Sequence, residues 1–210
     1  MSANQDGEEN WVEVDQAGAD NEAEVNQGFD ATYSNDAWAQ ILQGGNGNDA
    51  LINQRDFGNG GNVHDIEQGG DDHRARIRVF NGENKGNILQ RGTNSDAHIV
   101  QSGGGHEAEV EQFGENHLQY SRQSNSSNEL YIGQFDNDNT GSVRQIGDNN
   151  EAILLQYSEN NMSGDGSSSG PFGTFQDGNN NYSITTQISD GNSSMVSQVG
   201  NGNVSEVVQN

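Results

Sequence analysis

The chain has 210 residues, 29% of them hydrophobic, with a formal net charge of -24 and a mean hydropathy of -0.95, a composition that leaves little apolar surface to offset chain entropy. With Lys+Arg at 8 against Asp+Glu at 32, it argues against partners bound through phosphate, so neither nucleic acid nor an anionic membrane surface is expected. The absence of cysteine excludes a disulfide framework and a thiolate zinc site, and no apolar run approaches membrane-spanning length.

Periodicity supplies the order that composition lacks. From the N-terminus, Gln5, Gln16 and Gln27 recur at a step of eleven. Gln43 and Gln54 follow one insertion and Gln68 a second, and Val79 then holds the phase where glutamine is expected. Gln90, Gln101, Gln112, Gln123, Gln134, Gln145 and Gln156 continue the step, and after a third insertion so do Gln176, Gln187, Gln198 and Gln209. A fixed period of this kind is the mark of a solenoid.

Aligned on the glutamine, the unit reads N-x-A-x-(I/V)-x-Q-x-G-x-x. Asn10, Asn21, Asn48, Asn62, Asn84, Asn128, Asn139, Asn150, Asn181, Asn192 and Asn203 each stand six residues ahead of a glutamine. The spacing of two within a unit is strand periodicity, so these positions share one inward face. The position two before the glutamine is the apolar anchor, as at Ile41, Ile52, Ile77 and Ile99, each worth roughly 1.5–3 kcal/mol when buried. The position four before is usually Ala, as at Ala23, Ala50 and Ala97, which lets a facing sheet approach closely. Inward amides left unpaired would cost on the order of 2–7 kcal/mol each. Stacking equivalent residues about 4.7–4.8 Å apart turns them into Asn and Gln ladders instead. Glycine two after the glutamine suits a tight reversal.

Strand, arc, strand, arc makes a coil of two elevens. The expected fold is all-β, a solenoid of about nine 22-residue coils with two stacked parallel sheets, forming one domain over residues 1–210. Strands ending at Gln16, Gln43, Gln68, Gln90, Gln112, Gln134, Gln156, Gln187 and Gln209 are assigned to one sheet. Those ending at Gln5, Gln27, Gln54, Val79, Gln101, Gln123, Gln145, Gln176 and Gln198 are assigned to the other. The insertions near 28–36, 55–61 and 157–170 are expected to bulge from arcs. This register places Arg74 between Asp49 and Asp96, and Lys85 beside Glu107. It also gathers Tyr131, Ile153, Leu155, Tyr182 and Ile184 into an exposed apolar patch suited to lateral bundling of fibres.

The intact runs Gln16-x-Gly18-x-x-Asn21-x-Ala23 through Gln27, and Gln145-x-Gly147-x-x-Asn150-x-Ala152 through Gln156, resemble the curlin repeat of secreted curli subunits. The resemblance covers nearly the whole chain and implies a self-assembling, non-enzymatic fibre subunit. Its setting would be the extracellular biofilm matrix, its partners further copies of itself and curli-type secretion and nucleation factors. Met1 is then read as standing in place of native residues that include a signal peptide. The chain starts within a repeat at Gln5 and ends on one at Gln209, so uncapped head-to-tail stacking is expected.

Other chemistry is thinly represented. Gly44–Ile52 matches a calcium-binding nonapeptide, but the surrounding period is eleven and calcium rolls need tandem copies at nine. His73, His106 and His117 fall where Asn usually stands, as polar residues that replace it, and no cofactor or metal is expected. A β-helix enzyme would need longer arcs to build a cleft. An ice-binding solenoid would need a regular Thr row, and a monomeric adhesin would need end caps.

Overall fold

A computed structural model describes residues 1–28, 36–55, 61–164, 166, 170 and 172–210. It is an all-β solenoid of about nine turns built from two parallel sheets. Sheet A contains β1 (Ser2–Gln5), β3 (Glu22–Gln27), β5 (Asp49–Arg55), β7 (Arg74–Phe80), β9 (Asp96–Gly104), β11 (Leu118–Ser126) and β13 (Thr140–Asp148), stacked in that order. It continues through β15 (Met162–Ser163) and β16 (Thr174–Asp177), then β18 (Ser193–Ser194) and β19 (Val196–Val199). Sheet B stacks β2 (Trp11–Ala17), β4 (Trp38–Gly44), β6 (Val63–Asp71), β8 (Lys85–Thr93), β10 (Glu107–Glu115), β12 (Glu129–Asn137), β14 (Glu151–Gln156), β17 (Tyr182–Gln187) and β20 (Val204–Gln209).

The register is the one the glutamine step implies. Gln5 pairs with Gln27, Gln27 with Gln54, and Gln101 with Gln123, while Gln68 pairs with Gln90 and Gln90 with Gln112. Arg74 lies between Asp49 and Asp96, and Lys85 beside Glu107. A period of eleven holds because each arc reverses the chain in the same way. Glycines such as Gly92 (φ 121) and Gly103 (φ 123) open the arc, and a left-handed residue such as Asp72, Asn116 or Asn180 closes it just before the inward corner position. Asn, Asp and Gly tolerate that conformation best, which accounts for their abundance in the arcs.

Between the sheets runs a core only two side chains deep per strand. Ile41, Ile66, Ile88 and Ile132 from sheet B meet Ile52, Ile77 and Ile99 from sheet A, with Ala39, Ala50, Ala75, Ala97 and Ala108 alongside, all buried. Toward the C-terminal turns the same inward positions change to Ser163, Thr174, Ser183, Thr185 and Ser194. The hydroxyls of Ser163, Thr174, Thr185 and Ser194 are buried there without a hydrogen-bond partner among the described residues.

The third insertion does not sit in an arc, contrary to its expected placement near 157–170. The arc after Gln156 has ordinary length and leads to Asn161, whose backbone N–H donates to Asn139 Oδ1. Met162 and Ser163 pair with Thr140 and Gly141, and the register then resumes with Thr174 on Val143. The extra residues therefore leave from the middle of a strand. Composition alone placed the loop at the start of the Ser/Gly-rich stretch, and overlooked that Tyr157–Asn161 already completes a normal arc. Most of the two earlier insertions, at 29–35 and 56–60, lies outside the described residues.

A Cβ on Gly92 would collide with the backbone carbonyl of Gly114 in the next coil, whereas one on Gly44 would meet open space. Gly92→Ala is expected to lose about 1–3 kcal/mol from backbone conformation alone, with Gly44→Ala near neutral, as read from urea unfolding midpoints.

Candidate assembly interface

The repeat glutamines donate from Nε2 to Oε1 of the glutamine one coil further toward the C-terminus, with one break, after Gln54. In sheet B the row is unbroken: Gln16 to Gln43 at 2.6 Å, Gln43 to Gln68 at 2.8 Å, Gln68 to Gln90 at 2.9 Å, then Gln90, Gln112, Gln134 and Gln156 each at 2.8 Å, and Gln187 to Gln209 at 2.9 Å. The second Nε2 hydrogen goes to a backbone carbonyl near the start of a sheet A strand, as from Gln90 to Arg74 at 3.1 Å. An amide has two donors and here both are used, so burial costs little.

Sheet A carries the same row from Gln5 through Gln27 to Gln54, and again from Gln101 through Gln123, Gln145 and Gln176 to Gln198. Between the two runs stands Val79, which cannot take part. His64 bridges the break from the opposite sheet. Its ring is fully buried, 2.6 Å from Gln54 Nε2 through Nδ1 and 3.1 Å from Gln101 Oε1 through Nε2. The neighbours fix the neutral tautomer, with Nδ1 accepting and Nε2–H donating, so the direction of the row is preserved across the gap. Room for the ring comes from Gly86, next in the sheet B row, where a Cβ would press on the imidazole. Sequence reasoning missed His64. The available signal was that three departures from the repeat, His64 and Gly86 at the usual Ala position and Val79 at the Gln position, fall within two coils.

The asparagines behave differently from the expected side-chain ladder. Their Oδ1 accepts the backbone N–H of the residue one coil on, as Asn21 does from Asn48 and Asn62 from Asn84, both at 3.0 Å. Their Nδ2 reaches arc carbonyls, as from Asn48 to Gly70 and from Asn84 to Gly103, both at 2.8 Å. Direct amide-to-amide bonds accompany this in a stretch of sheet B, where Asn150 donates to Asn128, Asn181 to Asn150 and Asn203 to Asn181. The corner role requires only an acceptor, and so other residues fill it. His73 Nδ1 accepts from Ser95, Ser95 Oγ from His117, and His117 Nδ1 from Asn139; in sheet B, His106 Nδ1 accepts from Asn128. Asn10 accepts from Ala37 at 3.1 Å, and Asn161 from Asn192 at 3.0 Å. Asn161 was not among the expected corner residues because the third insertion had been placed across it.

The outer faces carry the charge. Asp49 is 3.5 Å from both Arg74 and Arg76, and Arg74 is 3.8 Å from Asp96. Asp49 is thus already engaged within the stretch that matches the calcium nonapeptide, and among the described residues no group of His, Asp and Glu has metal-site geometry. The outer side of β12, β14 and β17 presents Tyr131, Ile153 and Ile184 in one register row, with Leu155 and Tyr182 in the rows on either side; all five are half-buried, so the expected apolar patch is less exposed than the pattern implied. Aromatic residues stack along rows as the amides do, Trp11 on Trp38 at 5.0 Å and Phe135 on Tyr157 at 5.3 Å.

These rows define the class: a two-sheet parallel β-solenoid whose coils are joined by polar ladders. The curlin associated repeat model matches residues 2–28 and 83–114, so the chain carries curlin repeats. Comparison with curated proteins and with solved structures returned no match.

Burial pulls the His64 pKa from 6.5 down to about 4, against a smaller raising effect of its bond to Gln101. A proton on Nδ1 would also face the Gln54 N–H donor. The unfolded chain takes up that proton below about pH 6.5 and the folded chain only near pH 4, so the stabilisation is complete above the upper value and is lost as pH falls. The double variant His64→Ala/Val79→Gln restores an all-glutamine row. Relative to it, the native protein is expected to lose on the order of 2–3 kcal/mol between pH 7 and pH 4, measured by urea unfolding of both proteins across that range.

Proposed function

We propose that the chain is the structural subunit of an extracellular curli-like fibre, growing head to tail by strand stacking and serving as matrix and adhesion scaffold. The observation that carries this reading is the direction of the glutamine rows. Every bond runs from Nε2 toward the C-terminal end, so Gln5 and Gln16 leave Oε1 facing outward at one end of the solenoid, while Gln198 and Gln209 present Nε2 at the other. A second copy placed in the same orientation continues both rows, β1 on β19 and β2 on β20. A reversed copy would set acceptor against acceptor.

The core supports the same junction. Val12 and Val14 on the inward face of β2 are only half-buried, as is the inward Val207 of β20. Stacking would bring Val14 of one copy onto Val207 of the next, and Trp11, 42% exposed, beside Val204 in the row it already shares with Trp38. The curlin family is one of structural subunits and not of enzymes, which agrees with a mechanical role. Secretion and nucleation factors of the curli type are the partners this reading implies.

Dilute protein freed of denaturant is expected to form unbranched filaments after a lag, followed by thioflavin fluorescence and electron microscopy, with a blue shift of Trp11 emission as the junction closes. Added salt is expected to shorten the lag, because a net charge of -24 on each copy opposes stacking. Val207→Asp is expected to abolish elongation while leaving the monomer folded by circular dichroism. A stable, soluble β-rich monomer under all of these conditions would overturn the proposal in favour of a monomeric solenoid adhesin.

A further inference from the structure

All Lys and Arg residues except Lys85 and Arg91 belong to sheet A strands, at positions that alternate with the buried face: Arg55, Arg74, Arg76, Arg78, Arg122 and Arg144. Two of these rows matter. On sheet A, Arg78, Val100, Arg122 and Arg144 follow one another in register from β7 to β13. On sheet B, Glu107, Glu129 and Glu151 follow in register from β10 to β14. The arginine stretch contains no acidic residue, and the glutamate stretch has an opposite charge only at its start, where Lys85 stands beside Glu107; Glu151 has its carboxyl pKa raised by burial and then by Glu129.

We propose that the outer face of sheet A of one copy docks on the outer face of sheet B of a second copy, side by side with parallel axes, so that Arg78 meets Glu107 and Arg122 meets Glu151. Both pairs form in one register because the members of each row are two coils apart on either face, at about 4.8 Å per coil. With parallel axes the facing strands run in opposite directions, which sets the arginine row on the glutamate row and, at the strand centres, Arg76 on Glu109. The same register lays Leu118 on Leu155 and Met162 on Val208, all of them exposed or half-exposed and apolar. The two copies are offset along the axis by one and a half coils, about 7 Å. Because the two faces differ, the contact repeats without closing and produces arrays of solenoids. It requires no axial stacking, so its test is independent of filament growth.

The native chain has no cysteine, which makes engineered cross-linking clean. In this register Leu51 of one copy lies opposite Asn87 of the other. Leu51→Cys and Asn87→Cys proteins, mixed in about 0.15 M salt to screen the net repulsion and mildly oxidised, are expected to give heterodimers at about fivefold or more above the random-pairing ratio. Arg122→Glu in the Leu51→Cys protein is expected to return the yield to random pairing, and Glu151→Arg in the Asn87→Cys protein to restore it. Random pairing in the starting mixture, or no effect of Arg122→Glu, overturns the proposal. Cross-linking of His98→Cys in place of Leu51→Cys overturns the parallel register. Random pairing combined with Arg122-dependent retention on immobilised polyglucuronate would assign the face to an acidic polymer instead.

Discussion

In-register stacking governs everything else in this molecule. When each coil lies directly on the last, every side chain has a copy or near-copy of itself about 4.8 Å away, and only residues that tolerate their own company can recur. Glutamine does so because its amide donates on one side and accepts on the other. A chain with 29% hydrophobic content can therefore hold a defined fold. Its thin stripe of Ile, Val and Ala excludes water, and the rows at the rim of that stripe are satisfied amides that resist being pulled apart.

The two kinds of row run in opposite senses. Glutamine side chains donate toward the C-terminal end, whereas the corner asparagines accept there from the backbone of the following coil. Their carbonyl dipoles point oppositely along the axis and partly cancel, so a long stack does not accumulate the field that aligned amides alone would create. The two ends of the solenoid nevertheless remain chemically distinct.

Most of the architecture was legible from one spacing. The glutamine step assigned strands to sheets and placed Arg74 between Asp49 and Asp96, because a strict period fixes register and register fixes neighbours. Three things were not legible in this way. The third insertion was misplaced because low-complexity composition outweighed the quieter signal of a complete arc ending at Asn161. The corner asparagines were expected to bond each other, whereas their partner is chiefly the backbone, which a pattern of side-chain types does not reveal. His64 escaped notice because it mends a row belonging to the facing sheet, and a repeat aligned along one strand carries no record of what reaches across the core. The histidines at 73, 106 and 117 fit the repeat once the corner is understood as a site for any acceptor.

The drift of the core from isoleucine to hydroxyl residues has a consequence for where stability lies along the chain. In a stack where each coil touches only its neighbours, stability is a sum of local terms. Those terms are largest around Ile52 to Ile132 and smallest where Thr174, Thr185 and Ser194 line the interior. The middle of the chain is thus the most strongly held part of the stack, and the C-terminal coils gain comparatively little from their own interior. Those coils are therefore where added contact at the C-terminal end would contribute the largest share of the local stability.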